Sequence, residues 1–346
     1  MERERQCVEL MAGEEVPPDC RWLVRGGAYW VVAPAGDGVR VGRVAPAGRG
    51  EGVVAWRDGV FGGGARYASP VPGGGVAVGG PGTVTVYEAD GRERWAHGHP
   101  AWDGVGACTA DPAGAHLFAV VPAAAVPGRD YPGEVCVALD LVTGKPVAAV
   151  ALPGSGATYA FQQSLAPRAR EVQLNVIQGQ GQGRARDAAH ALLVELYDGT
   201  LHTVGIGRWD EPFAGPGLVR DDFLKVAADG SRLARHRPGR HLSRHHPGHW
   251  TPVEASAADL LPDGLLLAGR PGFLDRHRIL AAAAGAPDAR PDAPRHVLLD
   301  ARTLRPVAEL AYPGTSCPDP VPLAEGAWLT LTGDTVDRRR PDPGPT

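Results

Sequence analysis

One unit of sequence recurs along this chain: an apolar strand-like run, a turn that carries Asp, and a second strand-like run. Asp-Gly between two such runs is a strong hairpin signal, because Gly adopts the positive φ that a tight turn requires. The turn aspartates are separated by 53, 50, 58, 31 and 71 residues, and the last two spacings average 51. They are Asp37, Asp90, Asp140, Asp198, Asp229 and Asp300.

A period of about 50 residues with four strands per unit is typical of a β-propeller. The 346 residues have room for seven such units, with six as the alternative. One blade cannot bury both of its faces alone, so the units must stack. We therefore predict an all-β fold: a single closed β-propeller of seven four-stranded blades, covering residues 21–340.

The two ends of the chain are predicted to close the ring. The run at 327–340 supplies strands for only part of a blade, and the run at 21–32 could add the missing one. Pairing of N- and C-terminal strands would remove exposed sheet edges. Residues 1–20 are interpreted as a polar, partly disordered segment with a helix-compatible part, and residues 341–346 as a disordered tail.

Composition supports this architecture. The 48 Gly and 33 Pro would be costly inside helices, but they are spread between the apolar runs, as turn residues are. A hydrophobic fraction of 43% is too high for a disordered chain. Together these values exclude a helix-rich fold and favour many short strands joined by tight turns.

Charge and cysteine content limit the partners and the compartment. A formal charge of -4 gives no basic field for nucleic acid or an anionic membrane. The five cysteines lack CxxC spacing, which favours reduced thiols over disulfides or zinc. With no secretory signal or long apolar segment, we expect a soluble, cytoplasmic and monomeric protein.

Several motifs resemble those of the WD40 propellers. Gly98-His99 is similar to the dipeptide that opens a repeat, and the run at 111–114 (DPAG) is similar to the SPDG turn. The run at 139–145 (LDLVTGK) resembles WDLATGK, with Leu139 in place of Trp. The resemblance, which drifts toward quinoprotein-like repeats, extends loosely over residues 21–340. It implies a rigid platform for protein interactions.

Aromatic residues after the last strands of the repeats are the candidate binding residues. In WD40-like rings this connection faces the rim of the central channel, where partners dock. Trp and Tyr are frequent in binding hot spots. The alternative is that these side chains pack between neighbouring blades. The candidates are Trp102, Trp209 with the adjacent Asp210, and Tyr312.

A histidine-rich run at 236–249 is the candidate metal site, because imidazole nitrogen binds transition metals. Its metal-binding candidates are His241, His245, His246 and His249. Pro and Gly within the run prevent a helix from aligning the imidazoles, and the interleaved arginines repel a cation. A solvated loop between blades is therefore the favoured interpretation, and no cofactor is expected.

Three functions are consistent with the sequence. The leading hypothesis is a non-enzymatic propeller that binds a protein or peptide, because no GxSxG or HExxH motif is present. The first alternative is a propeller enzyme, a lyase or hydrolase, with its site at the mouth of the central channel. The second is a propeller that binds or senses metal through the run at 236–249.

Overall fold

The computed structural model describes most of the chain in short ranges. These are residues 5–17, 20–46, 52–62, 67–101, 107–123, 133–152, 158–163, 171–178, 188–206, 213–215, 223–226, 230–237, 251–261, 265–285, 295–312 and 320–342.

Strands dominate these residues. In chain order they are β1 (Arg5–Glu15), β2 (Arg21–Arg25), β3 (Ala28–Ala35), β4 (Gly38–Val44), β5 (Val54–Trp56), β6 (Tyr67–Pro70), β7 (Val76–Gly79), β8 (Thr83–Tyr87), β9 (Glu93–Gly98), β10 (Ala107–Ala110), β11 (His116–Pro122), β12 (Glu134–Asp140), β13 (Pro146–Ala151), β14 (Thr158–Gln162), β15 (Glu171–Gln178), β16 (Ala188–Tyr197), β17 (Thr200–Ile206), β18 (Phe213–Gly215), β19 (Phe223–Val226), β20 (Arg232–Arg237), β21 (Thr251–Ser256), β22 (Leu265–Phe273), β23 (Arg278–Gly285), β24 (Arg295–Asp300), β25 (Pro306–Ala311), β26 (Val321–Pro322), β27 (Trp328–Thr332) and β28 (Thr335–Pro341).

Helix is limited, in the described residues, to a 3-10 turn at Pro72–Gly74 and to α1 (Ala257–Leu260). None of the helix described is long and apolar enough to cross a membrane.

Consecutive strands form the sheets. Five sheets have four strands each, in the orders β2-β3-β4-β5, β6-β7-β8-β9, β10-β11-β12-β13, β14-β15-β16-β17 and β18-β19-β20-β21. An eight-stranded sheet has the order β22-β23-β24-β25-β1-β28-β27-β26. Four-stranded antiparallel sheets in sequence order are blades, so the predicted all-β propeller fold is confirmed.

The chain divides into two compact units. The first contains Met1–Pro18, Ala45–Val54 and Glu211–Thr346, and the second contains Asp19–Val44 and Ala55–Asp210. The second unit therefore holds the sheets from β2 to β17, apart from Val54 at the start of β5. The first unit holds the sheet β18–β21 and the eight-stranded sheet.

Within each unit the core lies between the faces of successive sheets. Phe118 and Cys136 of one sheet pack with Phe161, Leu174 and Val194 of the next, and all five side chains are buried. Similar layers join the other neighbouring sheets of the second unit and the two sheets of the first. Burial of apolar area between sheets is the main stabilising contribution in a stacked fold.

The predicted Asp turns join paired strands. Four of the aspartates mark the turn from the third to the fourth strand of a four-strand meander: Asp90 and Asp198 lie between the two strands, and Asp140 and Asp300 end the third strand. Asp37 instead lies between the second and third strands of its sheet. Asp229 lies outside the described residues, between β19 and β20 in sequence. Asp198 and Asp300 are 102 residues apart, which is 51 for each of two meanders.

The N-terminal segment differs from the sequence prediction. Residues 5–15 form β1 rather than a disordered or helical segment, and β1 pairs antiparallel with β28 from Val8 to Glu15. The run at 21–32 instead provides β2 and β3 of another sheet. The pairing places Glu9 opposite Arg340, and Arg340 Nε lies 2.7 Å from Glu9 Oε2.

Candidate functional site

Of the predicted site residues, the structure describes Tyr312. The remaining candidates lie outside the described residues: Trp102, Trp209, Asp210, His241, His245, His246 and His249. Among the residues that are described, no group of three or more His, Cys, Asp and Glu side chains is arranged to hold a metal ion.

Tyr312 follows β25 directly and is half-buried. Its hydroxyl shares a hydrogen bond with Nδ1 of His296 on β24, which is buried. The Tyr312 ring stands edge-on to the His296 and Trp328 rings, with centroid distances of 5.0 and 6.3 Å. The Arg339 guanidinium lies 5.5 Å from the Tyr312 ring centroid. These contacts join β24 and β25 to β27 and β28, and a binding role for Tyr312 stays a prediction.

Arg339 is held in place by two further hydrogen bonds. Its Nε donates to Thr330 Oγ1 at 3.0 Å, and a terminal nitrogen donates to Asp337 Oδ2 at 2.6 Å. Because the guanidinium is fixed by a hydroxyl and a carboxylate, it presents one stable cationic surface to the Tyr312 ring. The cluster is therefore a rigid part of the eight-stranded sheet.

A second polar network, which the sequence did not indicate, is centred on Arg25 at the end of β2. This guanidinium is buried, and it donates to Ser69 Oγ at 3.0 Å, to Val24 O at 2.8 Å and to Phe161 O at 2.9 Å. Gln163 adds a parallel link: its Oε1 accepts from Gly26 N at 2.9 Å and its Nε2 donates to Ala110 O at 2.7 Å. The network ties together β2, β6, β10 and β14, the first strands of four sheets.

Burial governs the proton affinity of this network. Desolvation lowers the pKa of Arg25 to about 10, although the neighbouring Cys108 opposes the shift. Desolvation likewise raises the pKa of the Cys108 thiol to about 12 and raises the pKa of Cys136. Both thiols are protonated at neutral pH, and a thiol rather than a thiolate is a poor nucleophile. These two cysteines are therefore structural.

The motifs that resemble WD40 repeats lie at turns. The run at 111–114 joins β10 to β11, and the buried Asp111 carboxylate accepts from Ala115 N at 2.8 Å. The run at 139–145 joins β12 to β13. There Asp140 Oδ1 accepts from Val142 N at 3.2 Å, from Thr143 N at 2.7 Å and from Thr143 Oγ1 at 2.8 Å. These bonds lower the pKa of Asp140, with the Thr143 hydroxyl as the largest cause.

Three hairpins share one irregularity beside their turns. The register of the third and fourth strands shifts between Val86 and Tyr87, between Ala138 and Leu139, and between Leu298 and Leu299. Each shift leaves one extra residue on the fourth strand: Arg94 on β9, Val147 on β13 and Val307 on β25. A bulge changes the direction of the side chain of its extra residue and increases the local twist of the strand.

The bulge and the turn of the sheet β10–β13 expose apolar side chains. Val142 is 73% exposed and Val147 is 42% exposed. At the position of Val147, β9 instead has Arg94, which pairs with Glu88 at 2.8 Å. Exposed apolar side chains on one hairpin are a candidate interaction surface. We call Val142, Val147 and the outer strand β13 the β13 surface.

Comparisons by sequence give no relatives: no protein-family model and no curated protein matches the chain. Solved structures do match. A prolyl endopeptidase structure has a TM-score of 0.55 and 15% identity, over 92% of this chain. This chain spans 45% of the length of that one.

Two further structures resemble nearly the whole chain. The Neurospora crassa Pan2 WD40 domain has a TM-score of 0.48 and 10% identity, covering 100% of this chain and 98% of its own. BamB from Moraxella catarrhalis has a TM-score of 0.42 and 12% identity, covering 96% and 99%. At such identities a likeness concerns the fold alone. The structural neighbours thus include WD40 and BamB-like β-propellers, as the motifs in residues 98–147 predicted.

Proposed function

We propose that this chain is a non-enzymatic scaffold in the cytoplasm that binds a protein or an extended peptide. The observation that carries the proposal is the β13 surface, where Val142 and Val147 are exposed on a hairpin fixed by the Asp140 turn. Apolar side chains held on a rigid frame lose little conformational entropy when a partner covers them. Such a surface suits recognition rather than chemistry.

The interior supports this proposal because its polar groups hold neighbouring sheets together. Arg25 and Gln163 bind backbone carbonyls of other strands, and Arg235 similarly donates to the Ala301 carbonyl. Buried hydrogen bonds of charged groups to carbonyls are stronger than neutral ones. They make successive sheets rigid, as a binding platform requires.

Seven blades and a closed ring are part of the same proposal. Division of the eight-stranded sheet between β25 and β1 gives the groups β22-β23-β24-β25 and β1-β28-β27-β26. With the five four-stranded sheets, this makes seven groups of four. β1 would then complete the last blade and close the ring with β28.

Affinity capture with the full chain tests the proposal. We expect a specific protein to be enriched at low salt from a lysate of the source organism. Val147→Lys should reduce its recovery at least tenfold, since a charge would enter the apolar contact. Val307→Lys is the matched control, because Val307 is the exposed bulge residue of a different sheet. Recovery of no specific protein would contradict the scaffold function.

A second proposal, an enzyme that acts on peptides, draws on the prolyl endopeptidase neighbour. That likeness concerns the fold of less than half of the other protein. Incubation of the purified chain with a proline-containing chromogenic peptide tests the proposal. Release of the chromophore above the rate in buffer would favour this enzyme over the scaffold.

A further inference from the structure

We propose that the outer edge of β13 binds an extended polypeptide segment as an added parallel strand. The inference rests on the proposed scaffold function and assigns its binding mode. It comes from a comparison of β13 with β25, which has the same hairpin geometry and already carries a parallel strand.

The hairpins β12–β13 and β24–β25 are two copies of one structure. Residues 140–152 and 300–312 are identical at six of thirteen positions. Asp300 Oδ1 accepts from Arg302 N, Thr303 N and Thr303 Oγ1 at 3.1, 2.7 and 2.7 Å, as Asp140 does in its own turn. Both hairpins have the bulge at the same position, Val147 or Val307. Residues of β13 therefore correspond one by one to residues of β25.

The edge of β25 is occupied by β1. The two strands are parallel, with Arg5 opposite Glu309, Gln6 opposite Leu310 and Cys7 opposite Ala311. The corresponding residues of β13 are Ala149, Val150 and Ala151. In the described residues, β13 is the last strand of its sheet, with β12 on one side and no strand on the other.

The backbone of β13 presents its hydrogen-bonding groups outward at alternate residues. Leu152 N donates to Glu134 O, so the backbone N–H and C=O groups of Leu152 point toward β12. The direction of these backbone groups alternates along a strand. The N–H and C=O groups of Val150 therefore also point toward β12, whereas those of Ala149 and Ala151 point away from it. Both alanines are exposed. Their N–H and C=O groups form the kind of edge that pairs with an incoming strand.

The chemistry of this edge indicates a neutral, apolar partner segment. Edge strands usually carry charges that discourage pairing. Among the other outer strands, β9 has Glu93 and Arg94, and β21 has Glu254. β13 has the sequence PVAAVA, with small or apolar side chains throughout. A charged segment would find no counter-charge on this strand, whereas an uncharged extended segment would cover Val147 and the alanines.

Fluorescence anisotropy with the full chain tests the binding mode. The probe is a labelled peptide of residues 5–10 that carries Arg5→Thr, Cys7→Val and Glu9→Thr, which makes it an uncharged copy of the strand on β25. We expect saturable binding. The same peptide with an additional Val8→Pro should bind at least tenfold more weakly, because proline lacks the N–H that a strand needs.

Two proline variants locate the site. Ala149→Pro removes an outward N–H while leaving the bonds of β13 to β12, as edge positions tolerate. Ala96→Pro is its matched control: Ala96 is exposed and occupies the same position after the bulge of β9. We expect Ala149→Pro to weaken probe binding at least tenfold and Ala96→Pro to leave it unchanged. Ala149→Glu should also weaken binding. Because this variant keeps the backbone N–H of residue 149, its weaker binding cannot be attributed to misfolding caused by proline.

The outcomes separate this inference from the scaffold function. Equal probe binding by the wild type and Ala149→Pro would overturn the edge site. A captured cellular partner whose recovery Ala149→Pro leaves unchanged would also overturn the edge site, but it would leave the scaffold function intact. Concentration-dependent dimerisation that Ala149→Pro abolishes would assign the edge to a second copy of this chain and would contradict the proposal.

Discussion

Gly144 and Leu304 occupy the same position in the two copies of the Asp turn, and both have positive φ angles, 71° and 59°. Positive φ is unstrained for Gly but unfavourable for Leu by roughly 1 kcal/mol or more. Leu304 is fully buried among apolar side chains of the first unit, so its burial offsets the strain. At Gly144 the space is filled by a neighbour, since a Cβ there would lie 2.6 Å from Cδ2 of Trp95.

Gly144→Ala tests this close approach. We expect the variant to lose about 2–3 kcal/mol in the free energy of unfolding, from backbone strain and the contact with the Trp95 ring. Urea unfolding measures the change. Gly91→Ala is the control, because Gly91 has φ 82° with no atom within 4 Å of the added Cβ. It should lose only about 1 kcal/mol, and equal losses would contradict the role of Trp95.

The buried thiols give a pH-dependent prediction. Burial raises the pKa of Cys108 to about 12, whereas an unfolded thiol ionises near 9. The folded state therefore retains this proton when the unfolded state loses it, and the stabilising contribution is lost as the pH rises from about 9. At pH 10 the loss is about 1.4 kcal/mol for Cys108.

Urea unfolding of the wild type and Cys108→Ala at pH 8 and pH 10 measures this loss. The alanine variant has a lower starting stability because of its cavity, so the change between the two pH values is compared. We expect a smaller decrease in the variant. An identical decrease in both proteins would refute the assignment.

At the scale of the element, the Asp turns differ in the number of hydrogen bonds they make. Asp140 Oδ1 accepts from two backbone N–H groups and a hydroxyl, whereas Asp90 Oδ1 accepts from Arg92 N at 3.0 Å. We expect Asp140→Ala to lower the free energy of unfolding by about 1–2 kcal/mol and Asp90→Ala by less than about 1 kcal/mol. Thermal and urea unfolding of both variants measure the difference, and a reversed order would contradict it.

Hairpins could be predicted from sequence because their signals are local. An Asp turn between two apolar runs specifies its own backbone, so the hairpins at Asp90, Asp140, Asp198 and Asp300 were confirmed. β1 could not be predicted in this way. Its acidic residues find their partners far away in the sequence: Glu9 pairs with Arg340 on β28, and Glu14 accepts hydrogen bonds from Val53 N and Val54 N.

At the scale of the whole molecule, polar sites depend on sheet stacking. Arg25 reaches Phe161, which is 136 residues away, and no local pattern distinguishes Arg25 from the other arginines. The bonded partner of Tyr312, His296, likewise became evident only in the folded sheet. Candidate binding residues at the ends of strands could be named from sequence, but the groups that contact them could not.

Removal of residues 1–15 tests the contribution of β1. The deletion leaves β28 unpaired along one edge, and Val53 N and Val54 N lose the Glu14 carboxylate at 2.6 and 2.9 Å. We expect the Tm to fall by about 5–10 °C. Removal of residues 343–346 is the control and should leave the Tm unchanged. Addition of a peptide of residues 1–15 should restore part of the lost Tm, and an unchanged Tm in the deletion would contradict the role of β1.

The pairing of β1 with β28 also sets the timing of folding during synthesis. Glu15 and Thr335 are partners although 320 residues separate them. At ordinary translation rates, roughly 16–64 s pass between their emergence from the ribosome. Throughout that interval β1 cannot form its antiparallel pairing with β28. The eight-stranded sheet can therefore become complete only after β28 has been synthesised, and until then the edge of β1 is open to pairing with other segments.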